Sequence, residues 1–120
     1  MPAAKRQMNY DQALEFIAKG KDKNSRRYSP ICTLWQEPDH IAVQLHATDI
    51  VKLYPNGDVQ LYTGGWETST TKAYMNAFLP ACVYVFQKEF SWYVNIGTME
   101  VLDFEENMVI NANMTVGLKV

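Results

Sequence analysis

Residues 54–80 read Y-P-N-G-D-V-Q-L-Y-T-G-G-W-E-T-S-T-T-K-A-Y-M-N-A-F-L-P. This stretch carries more local instructions than any other part of the chain. Pro55-Asn56-Gly57-Asp58 lies between two alternating segments, Ile50 to Tyr54 and Val59 to Tyr62. Asn-Gly supplies the positive φ angles of a tight primed turn, so the two segments are expected to pair as a hairpin. Gly64-Gly65 ends the second strand, because paired glycines favour unusual backbone angles and pack no side chain. Thr68, Ser69 and Thr70 are all competent N-caps for a helix running to Leu79. Pro80 stops that helix, since the residue before a proline is pushed out of the helical region.

The same signals extend in both directions. Upstream, Asn9 to Lys19 has helical periodicity, with Tyr10, Ala13, Leu14 and Ile17 on one apolar face. Asn9 and Gln12 have capping-box spacing, and Gly20 is a natural stop. Lys21 to Arg27, K-D-K-N-S-R-R, reads as an exposed polar loop. From Tyr28 the period changes to two: Ile31, Thr33 and Trp35 alternate with Cys32 and Leu34, and Ile41, Val43 and Leu45 with Ala42, Gln44 and His46. Glu37-Pro38-Asp39 turns between them, and Thr48-Asp49 marks a break. Downstream come Cys82 to Lys88, a turn at Glu89-Phe90-Ser91, Trp92 to Ile96, a turn at Gly97-Thr98, and Met99 to Phe104. Met108 to Ile110 closes the series. The expected fold is α+β: one small antiparallel sheet of about six to seven strands, with an N-terminal and a central helix packed on it. No internal repeat or linker interrupts it, so residues 1–120 are read as a single domain, a basic helix and loop (1–27) joined to a body (28–120).

Composition narrows the class. An apolar share of 48% in 120 residues is enough for a core of its own. No apolar run approaches the roughly 20 residues that span a bilayer, so no membrane partner is expected. The N-terminus, M-P-A-A-K-R-Q, lacks the apolar segment of a secretory signal. Cys32 and Cys82 are too few and too far apart for a disulfide framework and fit a reducing, intracellular setting. The net charge of −2 hides an asymmetry: residues 1–27 sum to +4 and residues 28–120 to −6. A basic segment on an acidic body fits an acidic partner, or a solvated helix and loop.

The central segment has a physical argument for holding an anion. A glycine-rich strand end followed by a helix start exposes backbone N–H groups, and the helix dipole adds positive potential. Thr68, Ser69, Thr70 and Thr71 add hydroxyls and Lys72 a charge. The order is not that of a P-loop, in which the lysine precedes the hydroxyl. The other reading is structural: the hydroxyls cap the helix, Trp66 anchors the core, and Lys72 is solvated. Arg26 and Arg27 before Tyr28 can grip phosphate or merely lead into a strand. Tyr62, Trp66, Tyr74, Tyr84, Trp92 and Tyr93 can line a stacking face or pack across strands. His46 and Asp49 lack a third partner at metal spacing, His40 stands just upstream, and Asp103, Glu105 and Glu106 read as a solvated turn. No nucleophile has a base at recognisable spacing, so a binding protein without catalytic residues, metal or cofactor is expected.

The run L-H-A-T-D-I-V-K-L-Y-P-N-G-D-V-Q-L-Y-T-G-G-W-E-T-S-T-T-K-A-Y-M-N resembles a pattern of small tailed-bacteriophage proteins, in which a P-x-G turn leads to G-G-W-x-T-x-T-T-K. V-F-Q-K-E-F-S-W-Y-V resembles their aromatic hairpin and D-F-E-E-N-M their closing turn, so the likeness covers about residues 43–110. Glu67 and Tyr74 stand where the pattern tends to have arginine, which removes positive charge. The resemblance implies a viral origin and thus the host bacterial cytoplasm. The expected function is a non-enzymatic phage accessory protein that binds a phosphate-bearing ligand, a nucleic acid or a nucleotide signal of host immunity, and so counteracts host defence. Gly64, Gly65, Thr68, Thr70, Thr71 and Lys72 are expected at the phosphate, Trp66 and Tyr74 as packing or stacking residues, and Arg26 and Arg27 as added field. On this reading Lys72→Ala weakens binding and Trp66→Ala unfolds the domain. The alternative is an acidic mimic that docks on a host defence protein, or a minor virion component, with self-association open in either case.

Overall fold

The computed structural model describes residues 8–97, 100–111 and 116–118. In chain order the elements are α1 (Tyr10–Ala18), β1 (Ser25–Ser29), β2 (Cys32–Gln36), β3 (Ile41–Leu45), β4 (Thr48–Leu53), β5 (Val59–Leu61), α2 (Ser69–Asn76), β6 (Val83–Lys88), β7 (Ser91–Ile96), β8 (Glu100–Asp103), β9 (Met108–Ile110) and β10 (Val116–Leu118). The fold is α+β and mostly β, with an N-terminal and a central helix as the sequence implies. The strands divide into two antiparallel sheets, however, not one. Seven strands run in the order β1-β2-β3-β4-β5-β9-β10, and β6-β7-β8 form a separate three-stranded sheet. The chain leaves the large sheet after β5, builds α2 and the small sheet, and returns as β9 beside β5.

Local chemistry places the helices. Asn9 accepts the N–H of Gln12, and the Gln12 side chain accepts the N–H of Asn9, which closes the capping box that opens α1. Ala13 and Ile17 are buried from its apolar face, and Tyr10 and Leu14 pack against the core. Thr68 caps α2 through the N–H of Thr71. The segment before α1 is tied to the end of α2 where Met8 N–H donates to the Ala77 carbonyl at 2.9 Å. One hydrophobic core joins these helices to both sheets: Leu34, Val43, Val51 and Leu61 from the large one, Val85, Trp92 and Val94 from the small one.

Several boundaries differ from the sequence reading. Arg26 and Arg27 lie inside β1, not in a loop, and the first sharp turn comes at Pro30-Ile31. The break between β3 and β4 falls at His46-Ala47, where His46 takes φ +55°. At the expected primed turn only Gly57 has positive φ, and Gly57 N–H donates to the Tyr54 carbonyl at 3.0 Å. Pro55 fixes the negative φ of a type I turn there, and Gly57 takes the left-handed residue that follows it. The primed turn sits instead at Glu89 and Phe90, with φ +51° and +70°, directly between the paired Lys88 and Ser91. Thr98 and Met99, expected in a turn and at a strand start, lie outside the described residues, as do residues 1–7.

Candidate functional site

The glycine turn after β5 is rich in donors, but its own chain supplies the acceptor. Glu106 takes the Thr63 N–H on one carboxylate oxygen at 2.8 Å. Its other oxygen takes the Thr63 hydroxyl at 2.9 Å and the Gly64 N–H at 3.0 Å. Gly65 N–H turns back to the Thr63 hydroxyl at 3.1 Å. The Glu106 turn is held in place because Asn107, in the left-handed region at φ +66°, donates its N–H to the Leu61 carbonyl at 2.8 Å. Gly64 needs its missing side chain twice over. Its φ is +62°, and a Cβ would stand 3.0 Å from the Thr48 methyl. Three charge-assisted donors on one carboxylate make this a structural clamp. Glu106 is thus no solvated turn residue; it ties the end of β5 to the start of β9.

The start of α2 differs. Thr68 spends its hydroxyl oxygen on the Thr71 N–H at 3.1 Å, and the two hydroxyls lie 3.1 Å apart. Among the described residues the N–H groups of Ser69 and Thr70 meet no acceptor, as expected of the first turn of a helix. This turn forms one rim of a groove of about 580 Å³. Ile31, Leu45 and Ile50 form its apolar floor, His46, Ala47 and Thr48 the facing rim, and Trp66, Thr68, Thr70 and Thr71 the near rim. Trp66 is 64% exposed, so it is a wall of the groove and not a core anchor. It therefore cannot hold the fold together as the sequence reading supposed.

The other expected residues disperse. Lys72 turns to the small sheet, where its Nζ sits 4.9 Å from the centre of the Trp92 ring and donates to Gln87 at 2.9 Å. Tyr74 is buried and its hydroxyl shares a 2.7 Å hydrogen bond with Ser29. Arg26 lies 4.2 Å over the Phe16 ring and donates to the Phe16 carbonyl at 3.0 Å, so it acts in packing. Arg27 is exposed on β1, opposite Thr33. Of the six aromatics, Tyr74 and Trp92 are buried, while Tyr84 and Tyr93 face outward on the small sheet around Phe86. His46 lines the groove, and Asp49 lies in a polar hollow with Lys52, Gln60 and Tyr62. His40 pairs with Asp39 at 2.6 Å instead. Burial pushes the Cys32 thiol up to about 12, which keeps it protonated and unreactive at neutral pH. Cys82 is exposed.

Sequence reasoning named Trp66, Thr68, Thr70 and Thr71 but missed Ile31, Leu45 and Ile50 as the groove floor. Alternation marks them only as strand residues, and nothing local says that α2 stops short of covering them.

The profile of the Kyanoviridae Gp96 protein matches residues 5–111, nearly the whole chain. The chain belongs to this phage protein family. The match includes α1, which the G-G-W-x-T-x-T-T-K likeness leaves out, and it encloses both the Glu106 clamp and the groove. Comparison with curated proteins and with solved structures yields no significant match. No helix among the described residues is long and apolar enough to cross a membrane.

Proposed function

We propose that this family member is a non-enzymatic phage accessory protein that binds a small nucleotide-type ligand in the groove beside Trp66. The observation that carries the reading is an exposed indole next to an open helix start on one apolar groove. A flat heteroaromatic ring stacks on Trp66 and covers Ile31, Leu45 and Ile50, where apolar contact favours it over water. A phosphate attached to that ring reaches the Thr70 N–H and hydroxyl and the His46 imidazole, both residues of the groove lining. The volume lies within the usual range for small-molecule sites, roughly 300–1,000 Å³. A polymer fits less well, because residues 28–120 carry −6 and a nucleic-acid track needs a row of cations. Binding without turnover would withdraw such a ligand from the host, which is the sense in which the protein would counter a nucleotide defence signal.

The test is a fluorescence titration with mononucleotides, cyclic dinucleotides and a labelled oligonucleotide at two salt concentrations. Nucleotides are expected to quench Trp66 and to lose at least tenfold in affinity in Trp66→Ala, with Lys72→Ala unchanged. Salt-sensitive binding of the oligonucleotide alone would move the ligand to a polymer. No response to any of them would remove the nucleotide reading.

A further inference from the structure

We propose that β8 is a docking edge for an extended segment of another protein, with a basic–apolar–apolar–basic sequence. This surface is separate from the groove and does not depend on its ligand.

The two edges of the small sheet are treated differently. At β6 the Asn76 side chain accepts the Val85 N–H at 2.8 Å and donates to the Val85 carbonyl at 3.1 Å, imitating a neighbouring strand. At β8 no strand among the described residues pairs on the far side of β7. Hydrogen-bonded and non-bonded pairs alternate along an antiparallel ladder. Phe104 N–H donates to the Trp92 carbonyl at 3.0 Å, which fixes the phase. Leu102 and Glu100 therefore bond to β7, and Val101 and Asp103 aim their N–H and C=O groups at the open edge.

The side chains extend the same surface. Val101 is 53% exposed and shares a row with Asn95 and Tyr84; Asp103 shares the next with Tyr93 and Phe86. Phe86 stands 5.7 Å from both Tyr84 and Tyr93, so an added strand would continue an existing aromatic face. β8 carries no lysine, proline or bulge, so the acids at its two ends are what guard this short edge.

Charge selects the occupant. β8 reads E-V-L-D, acidic at both ends and apolar between. A second copy presents the same residues, so over β8 neither acid meets a base in any register. Self-pairing therefore leaves both acids without the opposite charge that stabilises a cross-strand pair, and a basic strand is favoured over it. A strand with lysine or arginine at the ends and two apolar residues between them matches every position in either direction. Main-chain bonds then give affinity and the end charges give specificity, as in other strand-addition complexes.

The probe is the capped hexapeptide T-K-V-V-K-T, titrated to millimolar into the isotopically labelled chain, with T-E-V-V-E-T as control. The expected result is slowed amide exchange at Val101 and Asp103 but not at Leu102, with the acidic peptide at least tenfold weaker. The double variant Glu100→Lys with Asp103→Lys should reverse the preference, and its gain of the acidic peptide shows that it is folded. Trp66→Ala should leave the peptide response intact. No protection at β8, equal binding of both peptides, or a concentration-dependent dimer that protects β8 in the wild type would each overturn the proposal.

Discussion

Two donor-rich turns follow one another within nine residues, and they have opposite fates. Thr63 to Gly65 and Thr68 to Thr71 both combine hydroxyls with backbone N–H groups, and both look like places to hold an anion. The first is filled by Glu106, from 42 residues further along the chain. The second caps itself through Thr68 and lends Thr68, Thr70 and Thr71 to the lining of a groove. The difference teaches that an anion nest is defined by what is missing from it as much as by its donors. A carboxylate already present turns recognition into structure.

The most direct way to break this contrast is to empty the first turn. Glu106→Ala leaves three donors short of an acceptor and should lower stability by about 2 kcal/mol in urea unfolding, given the partial exposure of the site. Glu106→Gln, which keeps one acceptor oxygen, should lose less. Added sulfate should restore part of the loss in Glu106→Ala and nothing in the wild type. A loss below about 0.5 kcal/mol would mean that Glu106 is not what holds the turn.

The second turn is expected to respond more weakly. Thr68→Ala removes the N-cap and should cost about 1 kcal/mol, whereas Thr68→Gly costs only a few tenths. Equal losses in the two variants would place the effect in groove packing and not in the cap. Lys72→Ala removes a partly exposed cation–π contact and should cost about 0.5–1 kcal/mol, with no change in nucleotide affinity. A loss of affinity there would reunite Lys72 with the groove. Smallest of all is Trp66→Ala, expected within about 0.5 kcal/mol of the wild type because the ring is mostly in water. The same substitution should abolish nucleotide quenching, so stability and binding separate at one residue.

Much of this was legible in the chain. Asn9 with Gln12, Thr68 before α2 and the glycine pair after β5 are local signals, acting over three or four residues, and the structure uses them, whereas α2 ends at Asn76, three residues before the Leu79 end expected from Pro80. Turn type was less legible. Asn56-Gly57 looks like a primed turn, but Pro55 holds the preceding φ negative and Gly57 alone crosses over. Glu89-Phe90 is read as a turn but carries no primed-turn signature, yet it forms the primed turn because the twist of β6 on β7 demands it. Phe90 is left 94% exposed at that tip.

The sequence by itself determined where the two helices start, since capping needs only near neighbours. It also determined that the fold is α+β, since periods of two and 3.6 residues are properties of the chain. Only the tertiary structure decided that the strands form two sheets, that Lys72 lies over Trp92, and that Glu106 closes the glycine turn. Those choices depend on contacts between residues far apart in sequence. Their free energy comes from burying shared apolar surface and satisfying donors across the fold, and no local window contains both partners.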